Sequence, residues 1–165
     1  MNGIYKIVLI IALLFPISVG AECAENSVKR DVYSQIYDYV KVSYKAKDVV
    51  VSYDIEDTDL FHIFSNRLAG HQKEIVENSY LEKSVKLGDD QYDSDLYDLF
   101  SALNQRVTTP DYELWFSYPL GNMIICTVYP YGKRDAVFGE TVVYLFCYDD
   151  NGIVNEMLRN VVTLN

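Results

Sequence analysis

The part of the chain after Asp111 contains four strand-like segments, and their pairing constrains the fold more than any other feature. Tyr112 to Tyr118, Met123 to Tyr129, Glu140 to Tyr148 and Ile153 to Leu164 are rich in β-branched and aromatic residues. Such runs, bounded by turn residues, are typical of β-strands. Consecutive strands with short connections pair as antiparallel neighbours. The segments therefore predict a four-stranded antiparallel meander.

The pair Asn151 and Gly152 separates the last two strands. Both residues tolerate positive φ, so the pair predicts a two-residue type I′ hairpin. Residues whose numbers sum to 303 then lie opposite each other. One face pairs Tyr148 with Asn155, Phe146 with Met157, Tyr144 with Arg159 and Val142 with Val161, and the other pairs Cys147 with Glu156, Leu145 with Leu158 and Thr141 with Val162.

Both faces of this hairpin are largely apolar or aromatic. One face should pack on helices, and the other should form a second cluster, a concave pocket or a contact surface. Tyrosine, with 15 copies in 165 residues, offers a large contact area with a polar tip. A small β-rich domain with one solvent-exposed sheet face also uses tyrosine at the boundary of its core, which is an alternative explanation of this frequency. The predicted binding residues for a partner or ligand are Trp115, Tyr144, Phe146, Tyr148, Met157 and Arg159.

The chain before Asp111 is mainly helical in pattern. From Ser27 onward, apolar residues recur every four positions, as on one face of a helix. Asp48 to Asp54 is typical of a short edge strand. Asp57 or Thr58 can cap a second helix, and Gly70 suits the position that ends it. Two further helical patterns follow, one from His71 to Leu87 and one capped by Asp93 or Ser94 and bearing Leu96, Leu99, Phe100 and Leu103.

The predicted fold class is therefore α+β, with N-terminal helices packed on the C-terminal meander. In general plan, helices that precede a meander resemble the nuclear-transport-factor-2-like or cystatin-like scaffolds. That resemblance is architectural and implies a curved, cone-like sheet.

The first 21 residues have the pattern of a secretory signal peptide. Lys6 precedes an apolar run from Ile7 to Phe15, and small residues follow up to Ala21. The run is far shorter than the roughly 20 residues that a membrane-spanning helix needs. A charged Glu22 before Cys23 disfavours a lipid anchor. We expect cleavage after Ala21, no stable membrane insertion, and a periplasmic or secreted product with one α+β domain over residues 22–165.

Three cysteines remain after cleavage, and an exported chain meets an oxidising compartment that favours a disulfide. Cys126 and Cys147 both lie in strand-like segments of the same sheet. We therefore predict that they pair, which leaves Cys23 free, while a bond that uses Cys23 remains the alternative.

Charge restricts the partners. Without Lys6, 13 basic residues stand against 24 acidic ones, a net charge of about −11. Such a balance argues against nucleic acid, whose phosphates need Lys and Arg, and favours a basic protein, a cationic ligand or a divalent metal. The charge could also serve solubility alone. The basic pair Lys133 and Arg134 lies in the loop from Pro130 to Gly139 and fits a partner contact or a solvated loop tip.

No catalytic or cofactor motif is present in the sequence. A nucleophile elbow, a phosphate loop, a dinucleotide fingerprint and zinc spacing are all missing. His62 and His71 have no cysteine nearby in sequence. The aspartates from Asp89 to Asp95 depart from the spacing of a calcium loop and suit a helix entry. We predict no cofactor and no catalytic residue.

Three functions remain, and the leading one is an exported, non-enzymatic binding protein, in its sharpest form a cell-envelope inhibitor or immunity-type protein against a basic partner. The alternative is a periplasmic or secreted small-ligand carrier with an aromatic pocket over a curved sheet. A hydrolase with an unrecognised site is the third. An exposed, flat aromatic face would favour a protein partner, and an enclosed one would favour a ligand.

Export of the full chain should yield a mature protein that begins at Glu22, because the small residue Ala21 ends the cleavage pattern. Mass spectrometry of the exported product measures this directly. A product that retains Met1, or one that begins at a lipid-modified Cys23, would contradict the expectation.

Overall fold

The computed structural model describes residues 31–83, 94–105, 107–133 and 139–164. The predicted signal peptide, Cys23, the first helical residues from Ser27, Asp89 to Asp93, and Arg134 lie outside the described residues. In chain order the elements are α1 (residues 31–43), β1 (Val49–Val51), a 3₁₀ helix (Thr58–Phe64), α2 (Gly70–Lys83), α3 (Ser94–Asn104), β2 (Tyr112–Phe116), β3 (Met123–Pro130), β4 (Gly139–Tyr148) and β5 (Val154–Leu164).

The fold is α+β, as predicted, but the sheet has five strands and is mixed. Its order is β1-β2-β3-β4-β5, with β1 parallel to β2 and the other neighbours antiparallel. The predicted four-stranded antiparallel sheet is therefore wrong in strand number and in one direction. The chain between β1 and β2 includes the 3₁₀ helix, α2 and α3, and a parallel pair needs such a long crossover. The sheet is open, with β1 at one edge and β5 at the other.

The central strand β3 is buried on both faces. Every residue from Met123 to Tyr129 is buried, so each face of the sheet needs an apolar cover. On the first face, α1 and α3 supply that cover. Its cluster contains Val32, Tyr33, Ile36, Tyr37 and Val40 of α1, Leu96 and Phe100 of α3, and the sheet residues Leu114, Phe116, Ile124, Cys126, Val128, Tyr144, Phe146 and Tyr148.

The second face is covered by the 3₁₀ helix and α2. Phe61, Phe64 and Val76 have no exposed surface and pack on the odd-numbered residues of β3 and β4. The two buried phenylalanines are three residues apart, which matches the three-residue period of a 3₁₀ helix. The segment was predicted as an ordinary helix, and this spacing explains the tighter form.

The two predicted landmarks of that segment have different outcomes. Asp57 caps it, and its side chain accepts a hydrogen bond from the Asp59 N–H at 2.9 Å. Gly70 has the positive φ that we expected, 55°, but it begins α2 instead of ending the preceding helix.

The predicted β4–β5 register is confirmed from Thr141 to Cys147, with Tyr144 opposite Arg159 and Phe146 opposite Met157. The strands shift at Tyr148, which pairs with Val154 and not with Asn155. The predicted register is therefore wrong at this one pair.

The predicted type I′ turn is wrong. Gly152, with φ 74°, has a positive φ, whereas Asn151 does not. The Gly152 N–H donates to the Asp149 carbonyl, and the Asp149 carboxylate accepts from the Asn151 and Ile153 N–H groups. A three-residue loop with glycine in the left-handed position fits these bonds. The aspartate side chain thus holds the loop in a longer form than the Asn-Gly pair predicts.

The β1 edge of the sheet is covered by a side-chain amide. Asn104, at the end of α3, accepts a hydrogen bond from the Val51 N–H and donates to the Val51 carbonyl, both at 2.8 Å. The amide therefore satisfies both outward backbone groups of one strand residue, as a neighbouring strand would.

The β5 edge is covered at several points. The Gln35 side chain of α1 donates to the Gly152 carbonyl at 2.7 Å, just before the strand begins, and accepts from the Val154 N–H at 3.1 Å. Farther along β5, Arg67 Nη1 donates to the Arg159 carbonyl (2.7 Å), and Asn160 Oδ1 accepts from the Val161 N–H (3.0 Å). These bonds protect a long edge strand against pairing with another chain.

Helix α1 ends in a left-handed residue that is not glycine. Lys45 has φ 51°, and the Ala46 N–H donates back to the Lys41 carbonyl at 3.1 Å. This is the six-to-one bond that accompanies a C-terminal cap, where glycine is preferred because it has no Cβ.

Lys45→Gly should raise the free energy of unfolding by about 1 kcal/mol, because it removes the strain of a side chain in the left-handed region. Lys47→Gly is the matched control, since it removes the same charge two residues later at a position without positive φ. It should lower stability slightly. Urea unfolding of both variants tests this, and an equal change in the two would contradict it.

Candidate functional site

An open groove of about 340 Å³ lies between α1 and β5. We call it the α1–β5 groove. It includes two of the predicted binding residues, Phe146 and Met157. Its other lining residues are Gln35, Ile36, Tyr39, Val154, Asn155 and Glu156.

Tyr39 and Phe146, which line the groove, belong to a cluster of three aromatic rings. Tyr39 meets Phe146 edge-on, with centroids 5.5 Å apart, and meets Tyr144 at 6.2 Å. Tyr144 and Phe146 are 5.8 Å apart. Edge-to-face pairs at these distances are favourable. Tyr39 is 39% exposed whereas Phe146 is 1% exposed, so Tyr39 presents this cluster to solvent.

A pair of hydroxyl groups lies beyond this cluster. Tyr144 donates a hydrogen bond to the Tyr44 hydroxyl at 3.3 Å, and the Tyr44 ring packs edge-on against Tyr112. Burial raises the pKa of Tyr44 above its usual value. Tyr44 therefore stays protonated and neutral at physiological pH.

The structure brings together four of the six predicted binding residues. Tyr144, Phe146 and Met157 share one face of the β4–β5 hairpin, and Arg159 lies directly opposite Tyr144. Arg159 is exposed and is close enough to Tyr44 that its charge affects the pKa of the phenol.

The other two predicted residues are separated from the groove. Trp115 lies between Leu114 and Phe116 of the first cluster, so its side chain points to the opposite face, where it packs edge-on against Tyr129. Tyr148 lies on the first face, but its hydroxyl donates to the Gly121 carbonyl at 3.1 Å. Tyr148 therefore joins the end of β4 to the β2–β3 turn.

The predicted binding residues omit six of the eight residues that line the groove, among them Tyr39 and Gln35. Tyr39 lies three residues after the buried Ile36, so helical spacing places it at the border of the apolar face. That spacing is a signal that could have identified it. Gln35 has no such signal, because its role depends on the position of the β4–β5 hairpin.

The predicted disulfide between Cys126 and Cys147 is wrong. Both cysteines are free and buried, and they belong to clusters on opposite faces of the sheet. Cys126 pairs with Tyr144 across the β3–β4 ladder, whereas Cys147 pairs with Met123. Alternation of side chains along a strand prevents two such thiols from meeting.

Burial suppresses the reactivity of both thiols. It raises the pKa of Cys126 well above the usual value, with a smaller effect from the Glu56 carboxylate. Burial and then the Glu156 carboxylate raise the pKa of Cys147 to about 11. The thiolate is the nucleophile, so neither residue has the character of a reactive cysteine.

Within residues 31–83, 94–105, 107–133 and 139–164, no group of three or more histidine, cysteine, aspartate or glutamate side chains could hold a metal ion. None of the helices there is long and apolar enough to cross a membrane. His71 is exposed and lies 3.8 Å from the Glu74 carboxylate, and His62 is half-buried in the 3₁₀ helix.

Comparisons of the chain with protein families, with curated proteins and with solved structures found no match.

The two buried thiols can be counted in a mature Cys23→Ser variant. In the native state at pH 8, neither should react promptly with a thiol reagent, because burial and a raised pKa leave roughly a thousandth of the Cys147 thiol ionised. After unfolding, both Cys126 and Cys147 should react, which gives two thiols per chain. No reactive thiol after unfolding would mean that a disulfide forms and that this arrangement is wrong.

Proposed function

We propose that this chain is an exported, non-enzymatic binding protein that engages a basic protein partner. An inhibitor or immunity-type protein of the cell envelope is the sharpest form of this proposal. The observation that carries it is the α1–β5 groove, an open surface with an exposed Tyr39, in a chain with net charge −10. Exposed tyrosines are favoured at protein interfaces, and negative charge attracts basic partners.

The packing of the aromatic face favours a protein partner over a small ligand. A carrier would need space above Tyr144 and Phe146, but Tyr39 of α1 packs edge-on against both rings. Tyr33 of α1 packs edge-on against both Phe100 and Phe116 at 5.8 and 5.2 Å. The remaining groove is open, whereas ligand pockets usually enclose most of the ligand surface. The predicted cone-like cavity therefore remains the weaker alternative.

Export is part of the proposal and rests on the predicted signal peptide, Met1 to Ala21. An envelope location would bring the protein to basic toxins, hydrolases or lysozymes. The two buried thiols are compatible with it, since their burial removes them from exchange with an oxidising solvent. A hydrolase is disfavoured because no nucleophile with a neighbouring base is found among the residues that form the groove.

The proposal predicts a salt-dependent association. The mature protein, immobilised through its C-terminus, should retain a basic protein from an envelope fraction of its source. The association rate with that protein should fall by about tenfold or more between about 20 and about 200 mM salt, because the Debye length shortens across this range.

The dissociation rate serves as the internal control, since it should change much less than the association rate. Surface plasmon resonance measures both rates. Retention of no basic protein, or an association rate that is independent of salt, would overturn the proposal and move the interpretation to the small-ligand carrier.

A further inference from the structure

We propose that the α1–β5 groove receives a long cationic side chain, arginine or lysine, from the basic partner, and that the partner does not add a strand to β5. This inference rests on the proposed function and states how the partner is recognised.

Four acidic residues lie in or next to the segments that form one end of the groove, and one of them, Glu156, lines it. Gln35 bonds to the carbonyls of both Asp31 and Gly152, which places the start of α1 beside the β4–β5 loop. Asp149 and Asp150 belong to that loop, and Glu156 lines the groove. Within the described part of the chain, none of these four acidic residues forms an ion pair. The local field at this end therefore favours a cation.

The walls of the groove suit the aliphatic part of such a side chain. Ile36, Val154 and Met157 provide apolar surface, and Phe146 is buried behind them. The exposed ring of Tyr39 offers an aromatic face to a cation. Lysine and arginine bury their stems on apolar surface and keep their charge near water or carboxylates. The groove thus offers apolar surface for the stem of one long cationic side chain and an aromatic ring and a carboxylate for its charge.

Helix α1 already contains one contact of this kind. The Lys41 ammonium lies 5.9 Å from the centroid of the Tyr37 ring. Lys41 is therefore engaged on its own helix, and it does not line the α1–β5 groove. Arg159 lies on β5, two residues after the lining residue Met157, and it too is outside the groove lining.

Strand addition is disfavoured because outward backbone groups of β5 are occupied. A continuous ladder would need the Arg159 carbonyl and the Val161 N–H, but Arg67 and Asn160 bond to them. At the groove itself, Gln35 occupies the Val154 N–H. A partner would have to break these bonds to pair with the strand. Side-chain insertion needs no such change.

The test uses a probe that does not depend on the identity of the partner. Isotope-labelled mature protein is titrated with an acetylated, amidated peptide of four Ala-Arg repeats and, as a charge control, with one of four Ala-Glu repeats. Amide NMR shifts should change saturably for the Arg peptide at residues of the groove, above all Tyr39, Gln35 and Met157. The Glu peptide should leave these shifts unchanged.

Variants give the second measurement. Tyr39→Ala should weaken binding of the Arg peptide about threefold to fivefold, since it removes the aromatic face. Tyr39→Leu retains apolar packing and should show a similar loss even if the alanine variant is unstable. Tyr131→Ala is the matched control, because Tyr131 is also exposed but lies at the opposite end of the sheet. It should bind as the wild type does.

Shifts that spread over the whole acidic surface, shifts that are equal for both peptides, or equal affinity of the Tyr39 and Tyr131 variants would overturn this inference. New shifts centred on Arg159 and Val161 would indicate strand addition and would also overturn it. Salt-dependent retention of a basic protein by the wild type would still support the proposed function in each of these cases.

Discussion

The burial of β3 on both faces is the constraint on which the other layers depend. Met123 to Tyr129 has no exposed residue, so a single layer of helices would leave half of these side chains in water. The chain meets this requirement with α1 and α3 on one face, and with the 3₁₀ helix and α2 on the other. Helix α1 precedes β1 in the chain, and the 3₁₀ helix, α2 and α3 follow it, yet all of them pack on the same sheet. The aromatic face of β4 is consequently a packed interface over most of its length, and the groove is what remains open at its β5 border.

The open sheet creates a second requirement, because its edges expose unpaired backbone groups. Asparagine and glutamine side chains satisfy some of these groups with the hydrogen bonds that a neighbouring strand would otherwise make. Asn104 binds both backbone groups of Val51, and Gln35 bonds to Gly152 and Val154. The same Gln35 bonds hold α1 against the hairpin and so set one wall of the groove. Edge protection and the candidate binding surface therefore share one residue, Gln35.

Local patterns predicted the elements and most of the β4–β5 register, because alternation along a strand has a strict period of two residues. That register correctly placed Met157 opposite Phe146 and Arg159 opposite Tyr144. The turn was predicted wrongly because the Asp149 carboxylate, and not the Asn-Gly pair alone, organises the loop. The predicted disulfide is wrong because two cysteines in one sheet can lie on opposite faces, as Cys126 and Cys147 do. The faces of these two cysteines can be deduced from alternation only if the β3–β4 register is known. The sequence between β3 and β4 has no turn signal as clear as the Asn151-Gly152 pair.

The sequence by itself determined the α+β class, the helical face of α1, a cap at Asp57 or Thr58 and the central part of the last hairpin. These features depend on neighbours within a few residues or on one short turn. The parallel pairing of β1, the separation of Trp115 from the other aromatic residues and the position of Tyr39 over Phe146 were decided only by tertiary structure. Each of them depends on how segments far apart in sequence pack together, and that packing is set by burial of the whole apolar surface and not by any local pattern.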